Sequence, residues 1–383
     1  MAGKTINVGL IGYGFMGKAH SNAYLSAPKY FDLKAEPVLK VVCGLEADVA
    51  EAFAGQWGWE SSTSDWKEVV ARDDIDLVDI STPNNVHKEI AVAAAKAGKH
   101  ILCEKPLAMN AAEGEVMVEA ASAAKVVNML NHNYRRVPAV ALAKQMIEAG
   151  ELGDIYHFRG VYLQDWIVDP QFPLVWRLRK ELTGSGVHGD LNAHIIDLAL
   201  WLVGGITEVT GMMKTFITER PLPASEGSLS ALPSGEMGTV TVDDATAFLA
   251  RFDNGAMGTF EATRFATGRK NGQRFEINGS KGSIVFELER LNELKFYNDS
   301  DAAGRHGFRL IQATDASHPY IAAYWPAGHI IGWEHTFINA VADVVNGIVG
   351  GTPVHPTFAE GLVVQKVLDA VEKSAESGTW VSV

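Results

Sequence analysis

A glycine-rich turn between an apolar strand and a helix, Gly12-Tyr13-Gly14-Phe15-Met16-Gly17, restricts this chain more than any other segment. It follows the strand candidate Ile6–Ile11 and opens a helix. The first glycine permits a tight turn, the second lets backbone approach a pyrophosphate, and the third draws helix and strand together. The helix N-terminus adds N–H donors and positive potential. A bare G-x-G-x-x-G run is weak, but strand before, helix after and crossover beyond make it a dinucleotide fingerprint. The pattern continues to about Leu130, with strands read over Leu39–Val42, Ile75–Ile80, His100–Cys103 and Val126–Leu130 and helices over Val86–Ala97 and Ala111–Ala124. Strand-helix-strand repetition implies right-handed crossovers and a doubly wound parallel sheet. Ser26–Pro37, with its two prolines, reads as an insertion lengthening the first crossover.

After a helix over Pro138–Ala149 and the stop at Gly150, the character changes. Ile155–Leu163, Val240–Arg251, Ala256–Arg264, Arg274–Asn278, Ser283–Leu288 and Leu294–Tyr297 read as strands separated by Gly- and Asn-containing turns. Asp253-Asn254-Gly255 is a hairpin signal within this antiparallel series. One helix, Val187–Val203, interrupts it and ends at Gly204-Gly205; a last helix covers Thr357–Ser377. Pro221–Gly238, rich in Pro, Ser and Gly, reads as a mobile loop, and Ser317–Ile330, with Tyr324, Trp325 and His329, as a long aromatic loop that either closes over a pocket or joins a core or interface. At 383 residues, two domains are expected. Residues 1–132 form an α/β Rossmann domain, and 133–383 an α+β substrate-binding and oligomerisation domain with a large, mostly antiparallel sheet, its C-terminal helix returning to the first.

Charge and cysteine usage narrow the partners. A formal charge of −13 disfavours nucleic acid and anionic membranes and favours a neutral small molecule. The two cysteines, Cys43 and Cys103, fall in buried strands and read as small core residues. Met1-Ala2-Gly3-Lys4-Thr5 passes into a strand without the apolar stretch of a secretory signal, and no run approaches the roughly 18 apolar residues of a membrane span. A cytoplasmic location is expected. No Cys/His cluster has ligand spacing, so no metal is expected.

The second strand of a dinucleotide fold usually ends in an acid for the adenosine ribose; here Gly44 stands there. Glu46, two residues on, either serves or opens the next helix. It would repel a 2′-phosphate, and no Arg or Lys stands beside it, which favours NAD over NADP. The third strand ends in Ser81-Thr82-Pro83-Asn84. Thr82 and Asn84 are placed to touch the cofactor, although a plain N-cap role for Asn84 fits equally. His87 follows and reads as structural rather than catalytic.

Glu104-Lys105-Pro106 follows a short apolar strand whose carboxyl end faces a ligand site in an open α/β sheet. A cation held there polarises a hydroxyl or carbonyl. The competing reading is a surface lysine paired with Glu104. In the second domain, Gly186-Val187-His188-Gly189-Asp190-Leu191-Asn192-Ala193-His194 leads into the helix, and Asp190 and His194, four apart, share a face. Among Leu191, Ile195 and Leu198, His194 suits a general base, or is a core histidine bonded to its acid; Asp197 is another orienting partner. His188 is another candidate base but, nearer the loop, is expected to be more exposed.

Together, Gly12-x-Gly14-x-x-Gly17, Thr82-Pro83-Asn84-x-x-His87, Glu104-Lys105-Pro106 and Gly189-Asp190-x-x-x-His194 resemble the Gfo/Idh/MocA oxidoreductase family over nearly the whole chain. The C-terminal run from Thr357-Phe358 through Trp380 is also similar. Gly14-Phe15-Met16-Gly17-Lys18-Ala19-His20, Asn133-Tyr134-Arg135-Arg136, Tyr162-Leu163-Gln164-Asp165-Trp166 and Trp176-Arg177 look most like members that oxidise levoglucosan-type anhydrosugars, inositols or L-glucose. The resemblance implies that Lys105 and His194 handle the proton and that Asp190 binds a substrate hydroxyl and steadies His194. It places Phe15, Met16, His87, Glu104, Lys105, Asn133, Trp176 and Arg177 with the cofactor, and Tyr134, Gln164 and Asp165 with the sugar. It also implies a homodimer or homotetramer. Departures are Gly44 and His188, the latter where relatives carry a small or apolar residue.

The expected reaction is NAD-dependent oxidation of a secondary hydroxyl on a cyclic sugar or polyol, of anhydrosugar or pyranoside type. His194 takes the hydroxyl proton, hydride goes to nicotinamide C4, and Lys105 stabilises the developing alkoxide. The rivals are an inositol or aldose dehydrogenase, an NADP-linked reductase, and a nucleotide-sensing binding protein without turnover.

Overall fold

We describe residues 4–224 and 232–383 of a computed structural model. Strands β1 (Thr5–Ile11), β2 (Glu36–Cys43), β3 (Ser61–Thr63), β4 (Leu77–Ile80), β5 (His100–Cys103) and β6 (Asn128–Leu130) form one parallel sheet in the order β3-β2-β1-β4-β5-β6. Helices α1 (Phe15–Tyr30), α2 (Ala47–Trp57), α3 (Trp66–Ala71), α4 (His87–Lys96) and α5 (Ala111–Ala124) lie between successive strands. Both faces of the sheet are buried, as a parallel sheet requires. Ile6, Val8 and Leu10 join one apolar cluster with α1, while Ile11, Val78 and Ile80 join another with α4. Strand order reverses between β1 and β4, and that is where such a sheet opens a crevice for a ligand.

The chain divides into two compact units: Met1–Val137, Ala322–Trp325 and Ile331–Val363 make the first, and Pro138–Ile321, Pro326–Ile330 and Val364–Val383 the second. The first thus takes in α9 (His335–Gly350), a helix absent from the sequence reading. Its residues Phe337, Val341, Val344 and Val345 cluster with Ala19, Ala23, Tyr24 and Ala27 of α1, so burial of an apolar stripe fixes its place. The aromatic loop before it has a core component: the Tyr324 ring lies 4.9 Å from that of Tyr30 and 4.7 Å from that of His335, and its hydroxyl donates to Asn339. The expected insertion over Ser26–Pro37 is not one. Residues 26–30 are the last turn of α1, with Pro28 inside the helix, and Glu36 and Pro37 already belong to β2.

In the second unit, α6 (Pro138–Glu148) precedes β7 (Ile155–Leu163), followed by the short helix α7 (Lys180–Thr183) and α8 (Ala193–Leu202). Then come β8 (Ile206–Lys214), β9 (Glu219–Pro223), β10 (Pro233–Thr239), β11 (Ala245–Phe252), β12 (Met257–Thr263), β13 (Gly272–Gly279), β14 (Gly282–Glu287), β15 (Glu293–Asn298) and β16 (Arg309–Gln312); α10 (Phe358–Ser377), of which the residues from Val364 on belong to this unit, and β17 (Val381–Ser382) close the chain. Nine of these strands form the sheet β16-β15-β14-β13-β7-β12-β11-β8-β17, antiparallel throughout except for β7 beside β12. Its covered face is aromatic, with Phe248 stacked on Phe260 at 4.3 Å and Phe158 5.2 Å from Phe260. The loop expected over Pro221–Gly238 is in its described parts a two-stranded antiparallel pairing of β9 with β10, and residues 225–231 lie outside the described residues. The strand expected from Val240 begins only at Ala245, because Asp243 and Asp244 turn their carboxylates to loop N–H groups. Among the described residues no helix is long and apolar enough to cross a membrane.

Candidate functional site

The glycine-rich turn of the first unit has the form its sequence implies. Gly12 has φ +108°, and a Cβ there would lie 2.5 Å from the Ser81 carbonyl oxygen, so only glycine lets the turn pass the end of β4. A Cβ on Gly17 would lie 2.3 Å from the Gly12 oxygen, whereas one on Gly14 would meet nothing within 4 Å. Helix α1 starts at Gly14 with no side-chain cap and no acid in its first turn, which suits an anion at its N–H groups. Phe15 stands 60% exposed and stacks on Trp333 at 5.4 Å, while Met16 packs partly buried against the α1 cluster. At the end of β4 the Thr82 hydroxyl is buried with no hydrogen-bond partner among the described residues. An open cradle beside Gly14, uncapped N–H groups and an orphaned hydroxyl fit a dinucleotide.

Gly44, the unexpected residue at the end of β2, has a steric cause. A Cβ there would lie 1.7 Å from Cε1 of Tyr13, so the ring occupies the space a side chain would take. Burial, opposed by the Glu46 backbone N–H and aided by the nearby Glu46 and Asp48 carboxylates, raises the Tyr13 pKa above its ordinary value. Glu46 itself is exposed and stands at the N-cap of α2. The variable residue within the glycine motif therefore shapes this edge, a point that the glycine spacing alone does not reveal.

At the other strand ends, His87 is fully buried, its Nδ1 3.0 Å from the Pro106 carbonyl and its Nε2 3.1 Å from that of Thr82. Burial lowers its pKa, and the ring braces the β4 loop against the turn after β5. Asn84 opens a 3-10 turn, Asn84–Val86, and α4 begins directly after it at His87. Lys105, half-buried, follows β5 and is joined to Pro106 by a cis peptide. Its backbone N–H donates to Glu104 Oε2 at 3.2 Å.

Behind Glu104 lies a buried charge network that sequence reasoning missed. His20 on α1 places Nδ1 2.8 Å from Asp79 Oδ2 and Nε2 2.9 Å from Glu104 Oε1. Tyr24 donates to Asp79 Oδ2 at 2.8 Å, and Asn131 Nδ2 donates to Glu104 Oε1 at 2.7 Å. Burial opposes a charge on His20, but Asp79 and then Glu104 raise its pKa to about 10. Burial likewise opposes ionisation of Glu104, yet His20, Asn131 and Lys105 hold its carboxyl below the usual range. Beyond β6, Asn133 and Tyr134 are buried in a 3-10 turn, where Asn133 Nδ2 donates to Thr336 Oγ1 at 2.8 Å.

The second unit gathers a different set around the entry to α8. Gly160 on β7, where a Cβ would lie 2.2 Å from Ile195 Cγ2, lets that helix settle on the sheet. Asp243 accepts the N–H groups of Gly186 at 2.6 Å and His188 at 2.9 Å, fixing the chain just before it. The expected continuous helix instead opens as a π-helical turn, His188–Asn192, which carries Asp190 and leads directly to His194 on α8. Wide turns of this kind recur at functional sites. His194 is 7% exposed, its ring 6.0 Å from that of Tyr162, and Asp197 is buried one turn on.

Asp190 lies between two guanidiniums: Arg177 Nη1 is 3.1 Å from Oδ1 and Arg264 Nη2 2.6 Å from Oδ2. Arg177 stacks over Trp176 at 4.6 Å and the buried Arg264 over Trp166 at 5.1 Å. Trp166 Nε1 donates to Gln164 Oε1 at 2.8 Å, and Asn271 Oδ1 accepts from Gln164 Nε2 at 3.0 Å and from Tyr162 at 2.8 Å. Arg264 and Asn271 had no sequence signal beyond lying near strand ends. Asp165 bonds Lys270 Nζ at 2.9 Å and accepts the Gly268 N–H at 2.9 Å, which lowers its pKa and ties down the 264–272 loop.

His188 corrects the expectation of exposure. It is 0% exposed, with Nε2 3.0 Å from the Leu368 carbonyl and Nδ1 3.1 Å from Asn192 Nδ2. Because Asp243 holds its backbone, the side chain turns inward to α10, and burial lowers its pKa. Among the described residues no group of three or more His, Cys, Asp or Glu is placed to hold a metal ion.

Residues 6–132 match the oxidoreductase family with an NAD-binding Rossmann fold, and 140–285 match the GFO/IDH/MocA C-terminal domain. The chain is 47% identical, over 99% of its length and 98% of the relative's, to levoglucosan dehydrogenase of Pseudarthrobacter phenanthrenivorans. It is 25% identical over 99% of both chains to inositol 2-dehydrogenase of Rhizobium meliloti. Levoglucosan dehydrogenase in complex with NADH and levoglucosan superposes with a TM-score of 0.94 at 47% identity, covering 99% of each chain. An oxidoreductase domain protein from Kribbella flavida reaches 0.95 at 50% identity, again over 99% of each chain. A parallel sheet with a dinucleotide turn, a mostly antiparallel partner and full-length likeness of this order leave one assignment: the chain belongs to the Gfo/Idh/MocA oxidoreductase family.

Proposed function

We propose that this protein oxidises a secondary hydroxyl of a levoglucosan-type anhydrosugar or a related pyranoside to the ketone, with NAD as oxidant. The observation that carries this reading is the Asp190 cluster, a carboxylate set between two guanidiniums, each stacked on an indole, on the turn that leads into His194. The carboxylate and the carboxamides and phenol beside it offer donors and acceptors that suit a polyhydroxylated ligand. The whole-length likeness to levoglucosan dehydrogenase supports the anhydrosugar in particular.

When bound, NAD supplies the hydride acceptor. Gly12, Gly14 and the opening turn of α1 would hold its pyrophosphate, Glu46 its adenosine ribose, and Thr82, Asn84 and Asn133 further polar groups. Glu46 would repel a 2′-phosphate, which favours NAD over NADP. We assign His194 the removal of the hydroxyl proton and Lys105 the stabilisation of the negative charge that develops on the substrate oxygen. Asp190 binds a neighbouring hydroxyl.

The test is NADH formation with levoglucosan, myo- and scyllo-inositol, glucose and simple pyranosides. The highest kcat/KM is expected with levoglucosan. A clear preference for an inositol or a free aldose would replace the substrate, and no turnover across the panel would overturn the dehydrogenase reading.

A further inference from the structure

We propose that His20 is a positioning residue for Lys105: its doubly protonated ring, gripped by Asp79 and Glu104, fixes the carboxylate on which the Lys105 backbone is anchored. The inference rests on the assignment of Lys105 to the chemistry and goes beyond it, since His20 lies behind the site.

Geometry carries the argument. Nδ1 of His20 is 2.8 Å from Asp79 Oδ2 and Nε2 is 2.9 Å from Glu104 Oε1. An ionised carboxylate only accepts, and a neutral imidazole has one N–H, so a neutral ring satisfies one acid and leaves the other facing a lone pair. An imidazolium satisfies both. Around the ring, the Tyr24 hydroxyl and the Asn131 carboxamide donate to the same two acids, Asn131 Nδ2 also lies 3.2 Å from His20 Nε2, and Phe337 of α9 covers the ring at a centroid distance of 5.4 Å. Asp79 is 0% exposed, Tyr24 and Asn131 are 1%, His20 is 2% and Glu104 is 5%. The raised pKa of His20, about 10, points the same way.

A buried triad of charges is weak as a stabilising device, because well-packed apolar residues do as well. Here its members come from α1, from β4 and from the residue after β5, so together they fix the position of the β5 exit. Glu104 Oε1 is held by His20 and Asn131, which leaves Oε2 aimed at the Lys105 N–H at 3.2 Å. Without the cation, Asp79 and Glu104 face each other as like charges, and Glu104 turns away or takes up a proton. Either change releases the Lys105 backbone.

The experiment combines kinetics with nitrogen-15 NMR. In the intact protein both His20 ring nitrogens should be protonated from about pH 5 to about pH 9. His20→Gln should lower kcat by about 10- to 100-fold at saturating NAD and sugar, with the NAD Kd changed less than about threefold. The double variant His20→Gln/Asp79→Asn removes one cation and one anion together and leaves a carboxamide to donate to Glu104. It should recover kcat to within about fivefold of the wild type. A neutral His20 ring at pH 7, wild-type kcat in His20→Gln, or a double variant no better than the single one would each overturn the inference. If His20→Gln does not fold, the double variant and the NMR measurement decide. Lys105→Met separates the two readings: wild-type kcat there removes Lys105 from the chemistry, whereas an inactive Lys105→Met beside a fully active His20→Gln sinks only the role of His20.

Discussion

His20 couples the charge inside the first unit to the stability of the fold. Its pKa is raised from 6.5 to about 10 by Asp79 and Glu104 against the opposing effect of burial. A group with a raised folded-state pKa contributes stability that is complete below its unfolded value and is lost as pH rises through the folded one. Denaturation midpoints should therefore fall progressively between about pH 6.5 and about pH 10. In the double variant His20→Gln/Asp79→Asn that slope should flatten, and an unchanged slope would show that the linkage lies elsewhere. Arg264 offers a second test. If Asp190 binds a sugar hydroxyl, Arg264→Met frees half of the carboxylate, and the KM for sugar should rise about 10-fold while NAD affinity holds. At this scale the glycines stand out in the sequence by their short, ordered spacing, and Lys105, Asp190 and His194 stand out as candidates in the same way. His20, Asp79 and Arg264 were not, because they meet partners tens of positions away along the chain.

Among the elements, α8 is set by a close approach rather than by its own sequence. Gly160 leaves room for Ile195, so Gly160→Ala should overpack the contact and destabilise the protein by about 1–3 kcal/mol, measurable by denaturant unfolding. Wild-type stability in that variant would mean that the helix can shift freely on the sheet. Elements legible to the residue include the strand β7, and the helix α5 from its run of good helix formers. The π-helical turn was not, because its wide register leaves no mark on a hydrophobic pattern and depends on Asp243 capping the chain from elsewhere in the unit. Helix α9 carries an apolar stripe at helical spacing, yet no element was read in the sequence between the aromatic loop ending at Ile330 and the last helix.

For the whole molecule, the alternation of strands and helices followed by a run of strands foretold two different architectures, and both are present. The division of the chain is less simple than one cut, since residues 331–363 cluster with the first unit through the apolar faces of α9 and α1. That pairing joins residues more than three hundred positions apart, a distance at which local pattern carries no information. Lys105 belongs to the first unit and His194 to the second. The most direct measurement is NADH formation from levoglucosan by the wild type, Lys105→Ala and His194→Ala, each first shown to be folded and to bind NAD. The wild type should turn over, and each variant should lose about 10²- to 10⁴-fold in kcat while its NAD affinity is preserved. Wild-type rates in either variant, or a wild type that reduces NAD with no sugar or polyol, would contradict the account.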